Sequence, residues 1–218
     1  HRGPDDENIW ISNLENVIFG HTKLSIIDLS QKNIQPMHDV SNEITLTFNG
    51  EIYNYLDLKK NLNKNYEFTT DSDTEVIIKS YLEWGEKFLE KIEGMFAFAL
   101  YDKKKNVIYI ARDRLGEKPL FYLSSKDKVL FSSELKSFHS ISKINKKVLN
   151  ETLLNGFPIN RSKTLLTDVE QVKPGEYLKI EIENKNILKK NFWDLNFNIK
   201  SSTSSKENDF DKILNLNI

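Results

Sequence analysis

The stretch MFAFALYD, residues 95–102, determines the expected fold. It is apolar almost without interruption, which is typical of a strand covered on both faces and unlike an edge strand with one solvated face. KKKN marks a turn directly after it, and VIYIARD, residues 107–113, follows as an antiparallel partner. We therefore predict that this hairpin forms the centre of a sheet.

Further elements are expected on both sides of this hairpin. Upstream, NVIFG, KLSIIDL and ITLTF are strand candidates, and residues 55–63 form a helix. Ser72, followed by Glu75 as in a capping box, begins a second helix that Gly85 ends, and a short helix covers 86–92. Downstream, PLFYLSS and KVLFSSEL form a second hairpin, a helix lies near 145–155, and two more strands flank Pro174-Gly175 and Asn184. This order predicts an α+β fold with stacked sheet and helix layers.

Composition excludes several classes of function. The 218 residues carry a net charge of −1, and their short lysine runs are interleaved with acids, so we expect no nucleic-acid partner. With no cysteine and four histidines far apart, we expect no metal site. No apolar run or leader pattern indicates a membrane segment, so a cytoplasmic protein is expected.

The two ends of the sequence predict a piece of a longer protein. Residues 1–195 carry the periodic patterns of one domain. Residues 196–208 are a polar, low-complexity linker. Residues 209–218, DFDKILNLNI, show helical spacing and are expected to begin a second, truncated domain.

Polar motifs stand at the ends of the predicted elements, and each has a simple structural interpretation when taken alone. HRGPDD suits a charged terminal turn, Lys23 in GHTKLSI a surface lysine, and Asn49-Gly50 a hairpin turn. Asp73 suits the first turn of a helix, and ARDRLGEKPLFY suits a solvated bend. None of the glycines forms a phosphate-binding loop.

Taken in order, HRGPDD, HTKLSI, NGEIYN, SDTE, GMFAFALYD and ARDRLGEKPLFY resemble the glutaminase domain of B-type asparagine synthetases. These are class II glutamine amidotransferases of the N-terminal-nucleophile hydrolase family. The resemblance runs from residue 1 to about residue 195. It implies a four-layer αββα sandwich of antiparallel sheets, here incomplete at its N-terminus.

The resemblance also implies a glutamine site. Asn49 and Gly50 match the oxyanion hole, which would use the Asn49 side-chain N–H and the Gly50 backbone N–H. Glu51 and Asp73 match the carboxylates that hold the α-ammonium of L-glutamine. Lys23 stands where the family usually has an arginine for the α-carboxylate. Backbone contacts to glutamine are expected from Ile26 and Ile27.

The family's nucleophile is an N-terminal cysteine, and this chain has none. We therefore expect the chain as given not to hydrolyse glutamine. In the parent protein, ammonia would pass to a synthetase domain that uses ATP and Mg²⁺ to aminate aspartate, and this segment itself would need no cofactor. A homodimer remains open.

Two alternatives to asparagine synthesis also remain. The first is a related amidotransferase with another acceptor, for example in surface polysaccharide biosynthesis. The second is a degenerate, non-catalytic scaffold. Lys23 favours the scaffold, whereas the joint presence of Asn49, Gly50, Glu51 and Asp73 favours the enzyme.

Overall fold

The computed structural model describes residue 3 and residues 6–23 and 34–195. The helices are α1 (Tyr55–Leu62), α2 (Asp73–Trp84) and α3 (Lys146–Asn155), with 3-10 helices at Gly85–Glu90 and Leu135–Phe138. The strands are β1 (Asp6–Ile11), β2 (Ile18–Lys23), β3 (Met37–His38), β4 (Ile44–Ile52), β5 (Gly94–Asp102), β6 (Val107–Arg112), β7 (Phe121–Ser124), β8 (Val129–Ser132), β9 (Val169–Gln171), β10 (Glu176–Glu181) and β11 (Ile187–Asn191). Of the helices in these ranges, none is long and apolar enough to cross a membrane.

The strands form antiparallel sheets. A six-stranded sheet has the order β11-β10-β6-β5-β4-β3, and two smaller sheets have the orders β1-β2 and β8-β7-β9. Every pairing between these strands is antiparallel. The α+β class predicted from the sequence is therefore confirmed.

Strand β5 lies inside the large sheet and is buried on both faces, as MFAFALYD predicts. Phe96, Phe98 and Leu100 belong to the core that α1 and α2 cover. Ala97 and Ala99 alternate with them and face a second core built with β2 and β7. The period of two along a strand explains this division, because successive side chains point to opposite faces.

The described residues thus stack as a helix layer, the six-stranded sheet, and a further layer made by the two small sheets. Phe19 of β2 and Phe131 of β8 join these small sheets through an edge-to-face ring contact, with centroids 5.6 Å apart. The fourth layer of the αββα sandwich and the missing N-terminal part stay predictions.

Several elements differ from the sequence-based expectation. Strand β2 begins at Ile18 and runs through the polar segment GHTK, where NVIFG and KLSIIDL predicted separate strands. Strand β1 was not expected, because its first half is polar and its isoleucines are exposed. The last third of the described chain has strands β9, β10 and β11 where two were expected. The part of KLSIIDL after Lys23, the predicted linker and the segment 209–218 lie outside the described residues.

Candidate functional site

The Asn49-Gly50 pair lies within a strand. Strand β4 pairs with β5 without a break from Ile44 to Ile52, and Asn49 stands opposite Ala97 and Gly50 opposite Phe96. The interpretation of Asn49-Gly50 as a hairpin turn, which the pair favours when taken alone, therefore does not hold. The reason is that the long apolar strand β5 continues the ladder past the glycine and stabilises the extended conformation there.

The turn that follows β4 occurs at Tyr53-Asn54, and Asn54 fixes it. Its side-chain Nδ2 donates to the Lys91 carbonyl at 2.9 Å, and its Oδ1 accepts from the Glu93 N–H at 3.0 Å. The Tyr53 N–H donates to the Glu93 carbonyl at 2.7 Å. These bonds hold the exit from β4, and the start of α1, against the segment that leads into β5.

Gly50 is required by close packing of two backbones. A Cβ at this position would lie 2.1 Å from the Met95 carbonyl oxygen and 2.7 Å from the Phe96 Cα. Gly94 stands in the same relation to β4, since its Cβ would lie 2.1 Å from the Glu51 carbonyl oxygen. The fit between β4 and β5 therefore requires glycine at position 50.

The Gly50 N–H points away from β5. On the opposite strand, the Phe96 N–H donates to Asp113 Oδ2 at 3.2 Å, and the Phe96 carbonyl accepts from the Asp113 N–H at 2.8 Å. Gly50 and Phe96 therefore form a non-hydrogen-bonded pair, and successive N–H groups of a strand alternate in direction. The neighbouring N–H groups on the outer side are occupied, because Phe48 donates to Gln35 Oε1 at 2.6 Å and Ile52 to Asp73 Oδ2 at 3.0 Å. The Gly50 N–H between them is left facing the edge.

The Asn49 side chain lies on the face of β4 opposite the helices. Phe48 and Ile52 point into the helix-covered core, so Asn49 shares the other face with Thr47. Thr47 Oγ1 lies 3.4 Å from His21 Nδ1 of β2. Asn49 is half-buried, and its amide makes no hydrogen bond within the described residues. This leaves an amide donor next to the outward-facing Gly50 N–H.

Helix α2 brings Asp73 to the end of β4. Ser72 caps the helix as predicted, with its hydroxyl accepting from the Thr74 N–H at 3.1 Å, but the predicted capping box is not formed, because the Ser72 N–H donates to Thr70 Oγ1 and not to Glu75. Glu75 is buried, and its carboxylate accepts from the N–H groups of Thr69 and Thr70, which precede the cap. These contacts fix the start of α2, so that the Asp73 carboxylate meets the Ile52 N–H.

The charge of Glu51 acts on Asp73, the other candidate ammonium-binding carboxylate. Burial raises the pKa of Asp73, and the charge of Glu51 adds to the rise, while N–H donors from Ile52 and Thr74 partly oppose it. Desolvation also raises the pKa of Tyr53, with contributions from the charges of Glu117 and Glu51. The end of β4 is therefore a region of negative potential, which a bound cation would relieve.

Lys23 is the last residue of β2 and pairs with Asp6 of β1. It stands two residues beyond His21, as Asn49 stands two residues beyond Thr47. The side chain of Lys23 and the whole of Ile26 and Ile27 lie outside the described residues, so their assigned contacts stay predictions.

Comparison with known proteins identifies the family of the chain. A family model of the glutamine amidotransferase domain matches residues 1–193. The chain belongs to this family. Asparagine synthetase (glutamine-hydrolyzing) 1 of Bacillus subtilis is 39% identical over 200 residues, which cover 88% of this chain and 31% of that protein. Amidase chry2 of Gibberella zeae is 34% identical over 209 residues, which cover 96% of this chain and 31% of that protein.

Solved structures show the same fold. Glutamine phosphoribosylpyrophosphate amidotransferase from B. subtilis superposes with a TM-score of 0.58 at 25% identity, over 80% of this chain and 34% of that chain. The present chain spans about a third of the length of these relatives. It is a class II glutamine amidotransferase domain with relatives among the asparagine synthetases.

The motif ARDRLGEK builds a loop of this amidotransferase domain beside the candidate site. Asp113 is buried and accepts the N–H groups of Phe96, Leu115, Glu117 and Lys118. The loop brings Glu117 near enough to Tyr53 for its charge to raise the pKa of that hydroxyl. The earlier interpretation as a solvated bend missed this buried carboxylate.

Arg112 and Gln35 bind backbone groups around the candidate site. The buried Arg112 guanidinium donates to the carbonyls of Lys118, Val172 and Gly116 and so holds both ends of the loop. Gln35 Oε1 accepts the Phe48 N–H, two residues before the Gly50 N–H, which has no partner within the described part of the chain. No sequence signal identified Gln35, because an isolated glutamine has no spacing partner. Among the described residues, no group of three or more histidine, cysteine or acidic side chains is placed to hold a metal ion.

Proposed function

We propose that this chain is the glutaminase domain of a glutamine-hydrolysing asparagine synthetase. The observation that carries the proposal is the end of β4, where the Gly50 N–H faces outward beside the Asn49 amide. The pairing of β4 with β5 fixes the direction of the Gly50 N–H before any substrate binds, and the Asn49 amide would be the second donor. Donors that need no reorganisation are what an oxyanion intermediate requires.

Each group at this edge has a part in the proposed reaction. As a nucleophile attacks the side-chain amide carbon of glutamine, the carbonyl oxygen gains negative charge and Asn49 and Gly50 donate hydrogen bonds to it. Glu51 and Asp73 bind the α-ammonium group, whose positive charge offsets the burial and the Glu51 charge that raise the pKa of Asp73. Lys23 binds the α-carboxylate. Collapse of the intermediate releases ammonia.

The proposal assigns the nucleophile to a cysteine outside these 218 residues, because the chain contains none. The chain alone is then unable to form a thioester and serves as the binding and oxyanion part of the site. The fourth layer of the sandwich would come from the same missing portion. We place the whole in the cytoplasm, where thiols stay reduced.

Aspartate is the proposed acceptor, activated with ATP and Mg²⁺ in a synthetase half that these residues do not include. The asparagine synthetase of B. subtilis supports this choice, since the matched part is 31% of its length. An amidotransferase with another acceptor is the second candidate, because amidase chry2, which does not carry the name of an asparagine synthetase, matches 96% of this chain. Lys23 in place of arginine is the one feature that favours a non-catalytic scaffold.

Product analysis with the full-length protein tests the proposal. Glutamine, aspartate, ATP and Mg²⁺ should yield asparagine and glutamate in equal amounts. Ammonium supplied in place of glutamine should also support asparagine formation. Glutamate release without asparagine would move the proposal to another acceptor. Asparagine formation from ammonium alone, with no glutamate released from glutamine, would establish the scaffold and refute the glutaminase assignment.

A further inference from the structure

The outer edge of β4 is closed by side chains where no strand covers it. Alternate residues of Ile44–Ile52 point their N–H groups to this edge, away from β5. Asp39 Oδ1 accepts the Ile44 N–H at 2.7 Å. Strand β3 covers the next outward position, where Met37 stands opposite Leu46. The first half of the edge is therefore closed by one carboxylate and one short strand.

Gln35 continues this closure with its side chain. The register of Met37 on Leu46 places position 35 opposite Phe48, but β3 begins only at Met37. Gln35 Oε1, in place of a backbone carbonyl, accepts the Phe48 N–H at 2.6 Å. Pro36 and Met37, which follow Gln35 directly, are buried and hold its backbone against the sheet. The carboxamide thus substitutes for a strand at this point of the edge.

The Gly50 N–H lies between two N–H groups that are held in this way. Gln35 holds Phe48 on one side, and Asp73 Oδ2 holds the Ile52 N–H at 3.0 Å on the other. Each is two residues from Gly50, a distance of about 7 Å along a strand. Within the described part of the chain, the Gly50 N–H has no acceptor. Its direction is therefore fixed from both sides while the group itself stays open.

The two side chains that flank Gly50 differ in charge. Asp73 is a carboxylate at the end where the α-ammonium group is proposed to bind, whereas Gln35 is neutral. In the proposed reaction, negative charge develops on the oxygen that meets the Gly50 N–H. A carboxylate at position 35 would lie about 7 Å from this N–H and would oppose that charge. A carboxamide accepts the same hydrogen bond without this repulsion.

We propose that Gln35 is a positioning residue for glutamine hydrolysis, which holds the Gly50 N–H toward the oxyanion through the Phe48 N–H. The inference rests on the proposed function, because it takes Gly50 to donate to the oxyanion. Gln35 acts through the backbone of β4 and does not touch the substrate. Loss of its hydrogen bond slows the chemical step and leaves glutamine binding unchanged, since other residues hold the α-ammonium and α-carboxylate groups.

Steady-state kinetics of the full-length protein tests this role. Gln35→Met keeps the length of the side chain and removes the acceptor for the Phe48 N–H. We expect kcat for glutamate release to fall about tenfold or more, while the KM for glutamine changes by less than about twofold. Hydrogen exchange of the peptide that contains Phe48 should accelerate. Ammonium-dependent product formation by the same sample should stay unchanged, which shows that the variant is folded.

Two other variants separate the hydrogen bond from charge and from general stability. Gln35→Glu keeps the acceptor, so exchange at Phe48 should match the wild type, but its charge should lower kcat about tenfold. Asp39→Asn is the matched control. It disturbs the same edge at Ile44, about 20 Å along the strand from Gly50. It should lower the unfolding free energy and leave kcat unchanged.

The outcomes distinguish failure of this role from failure of the proposed function. If Gln35→Met accelerates exchange at Phe48 but keeps kcat within about threefold of the wild type, Gln35 does not position the donor. An equal loss of kcat in Asp39→Asn would also refute the role, because any damage to the edge would then suffice. If Gln35→Met does not fold, a wild-type kcat in Gln35→Glu refutes the role of the neutral carboxamide. If the wild-type protein itself releases no glutamate, the proposed function fails and the positioning role fails with it.

Discussion

Glu86 offers a quantitative test of how the sheet and the 3-10 helix are held together. Its carboxylate accepts from the hydroxyl of Tyr177 at 2.8 Å and from the ammonium groups of Lys179 and Lys190 at 2.9 and 3.1 Å. The hydroxyl of Tyr109 lies at 3.1 Å. Strands β6, β10 and β11 thus meet at one side chain. Glu86→Gln keeps the shape of this side chain and removes its charge.

The expected loss of unfolding free energy in Glu86→Gln follows from the pKa of Glu86. Burial alone would raise the pKa of Glu86, but hydrogen bonds from Lys179, Tyr177 and Lys190 outweigh it and lower the pKa from 4.5 to about 2. At about 1.4 kcal/mol per pKa unit, this difference corresponds to about 3 kcal/mol. The side chain is 28% exposed to water. Solvent screening therefore reduces the expected loss of unfolding free energy in Glu86→Gln to about 1–2 kcal/mol at pH 7.

The lowered pKa of Glu86 also determines how this stabilisation changes with pH. Because the folded-state pKa lies below the unfolded value, the stabilisation is complete above pH 4.5 and disappears as the pH falls toward 2. At pH 3 about two-fifths of it should remain. Urea unfolding at pH 7 and pH 3 measures the difference between Glu86→Gln and wild type. Glu90→Gln, at an exposed carboxyl of the same 3-10 helix, is the control. An equal loss in both variants, or a loss independent of pH, would refute the reasoning.

Three further predictions concern the candidate site. Gly50→Ala should lower the unfolding free energy by at least about 1–3 kcal/mol, since its Cβ would lie 2.1 Å from a carbonyl oxygen of β5. Gly20→Ala, with no atom within 4 Å of its Cβ, should be neutral or stabilising in the same urea titration. Asp73→Asn should raise the KM for glutamine yet leave the unfolding free energy at pH 7 unchanged or higher. The reason is that burial raises the pKa of Asp73, so that its ionised form destabilises the fold. The difference in unfolding free energy between variant and wild type should shrink as the pH falls, and a destabilised variant at pH 7 would contradict the prediction. Lys23→Arg should lower the KM for glutamine in steady-state kinetics, because a planar two-donor group suits a carboxylate better than a point charge; an unchanged KM would count against the assigned contact.

The sequence predicted the elements whose signals are local. The apolar run at 95–102, the cap at Ser72 and the stop at Gly85 each act within a few residues, and all are confirmed. Strand β1 could not be predicted in this way. Its polar first half gains its extended conformation from pairing with β2, and a pairing partner is not visible in a local pattern.

In the candidate site, too, local signals are visible in the sequence, whereas the effects of strand pairing are not. Asn49-Gly50 carries a strong hairpin signal, but pairing with β5 overrides it and keeps the strand extended. The direction of the Gly50 N–H follows from the register of β4 on β5, in which Phe96 turns its backbone groups toward Asp113, a residue distant in sequence from Gly50. The resemblance to a family predicted that Asn49 and Gly50 belong to the site. The described structure supplied the reason that one of them presents a free donor.

Glutamine hydrolysis by Asn49→Ala in the full-length protein tests the central claim most directly. Asn49 is half-buried and its amide makes no hydrogen bond within the described residues, so its removal should not disturb the fold. Loss of one oxyanion donor should lower the rate of glutamate release by about 10²–10³-fold. Ammonium-dependent product formation by the same sample should be unchanged. If glutamate release falls less than threefold while the protein remains folded, Asn49 and Gly50 do not form the oxyanion hole and the account is contradicted.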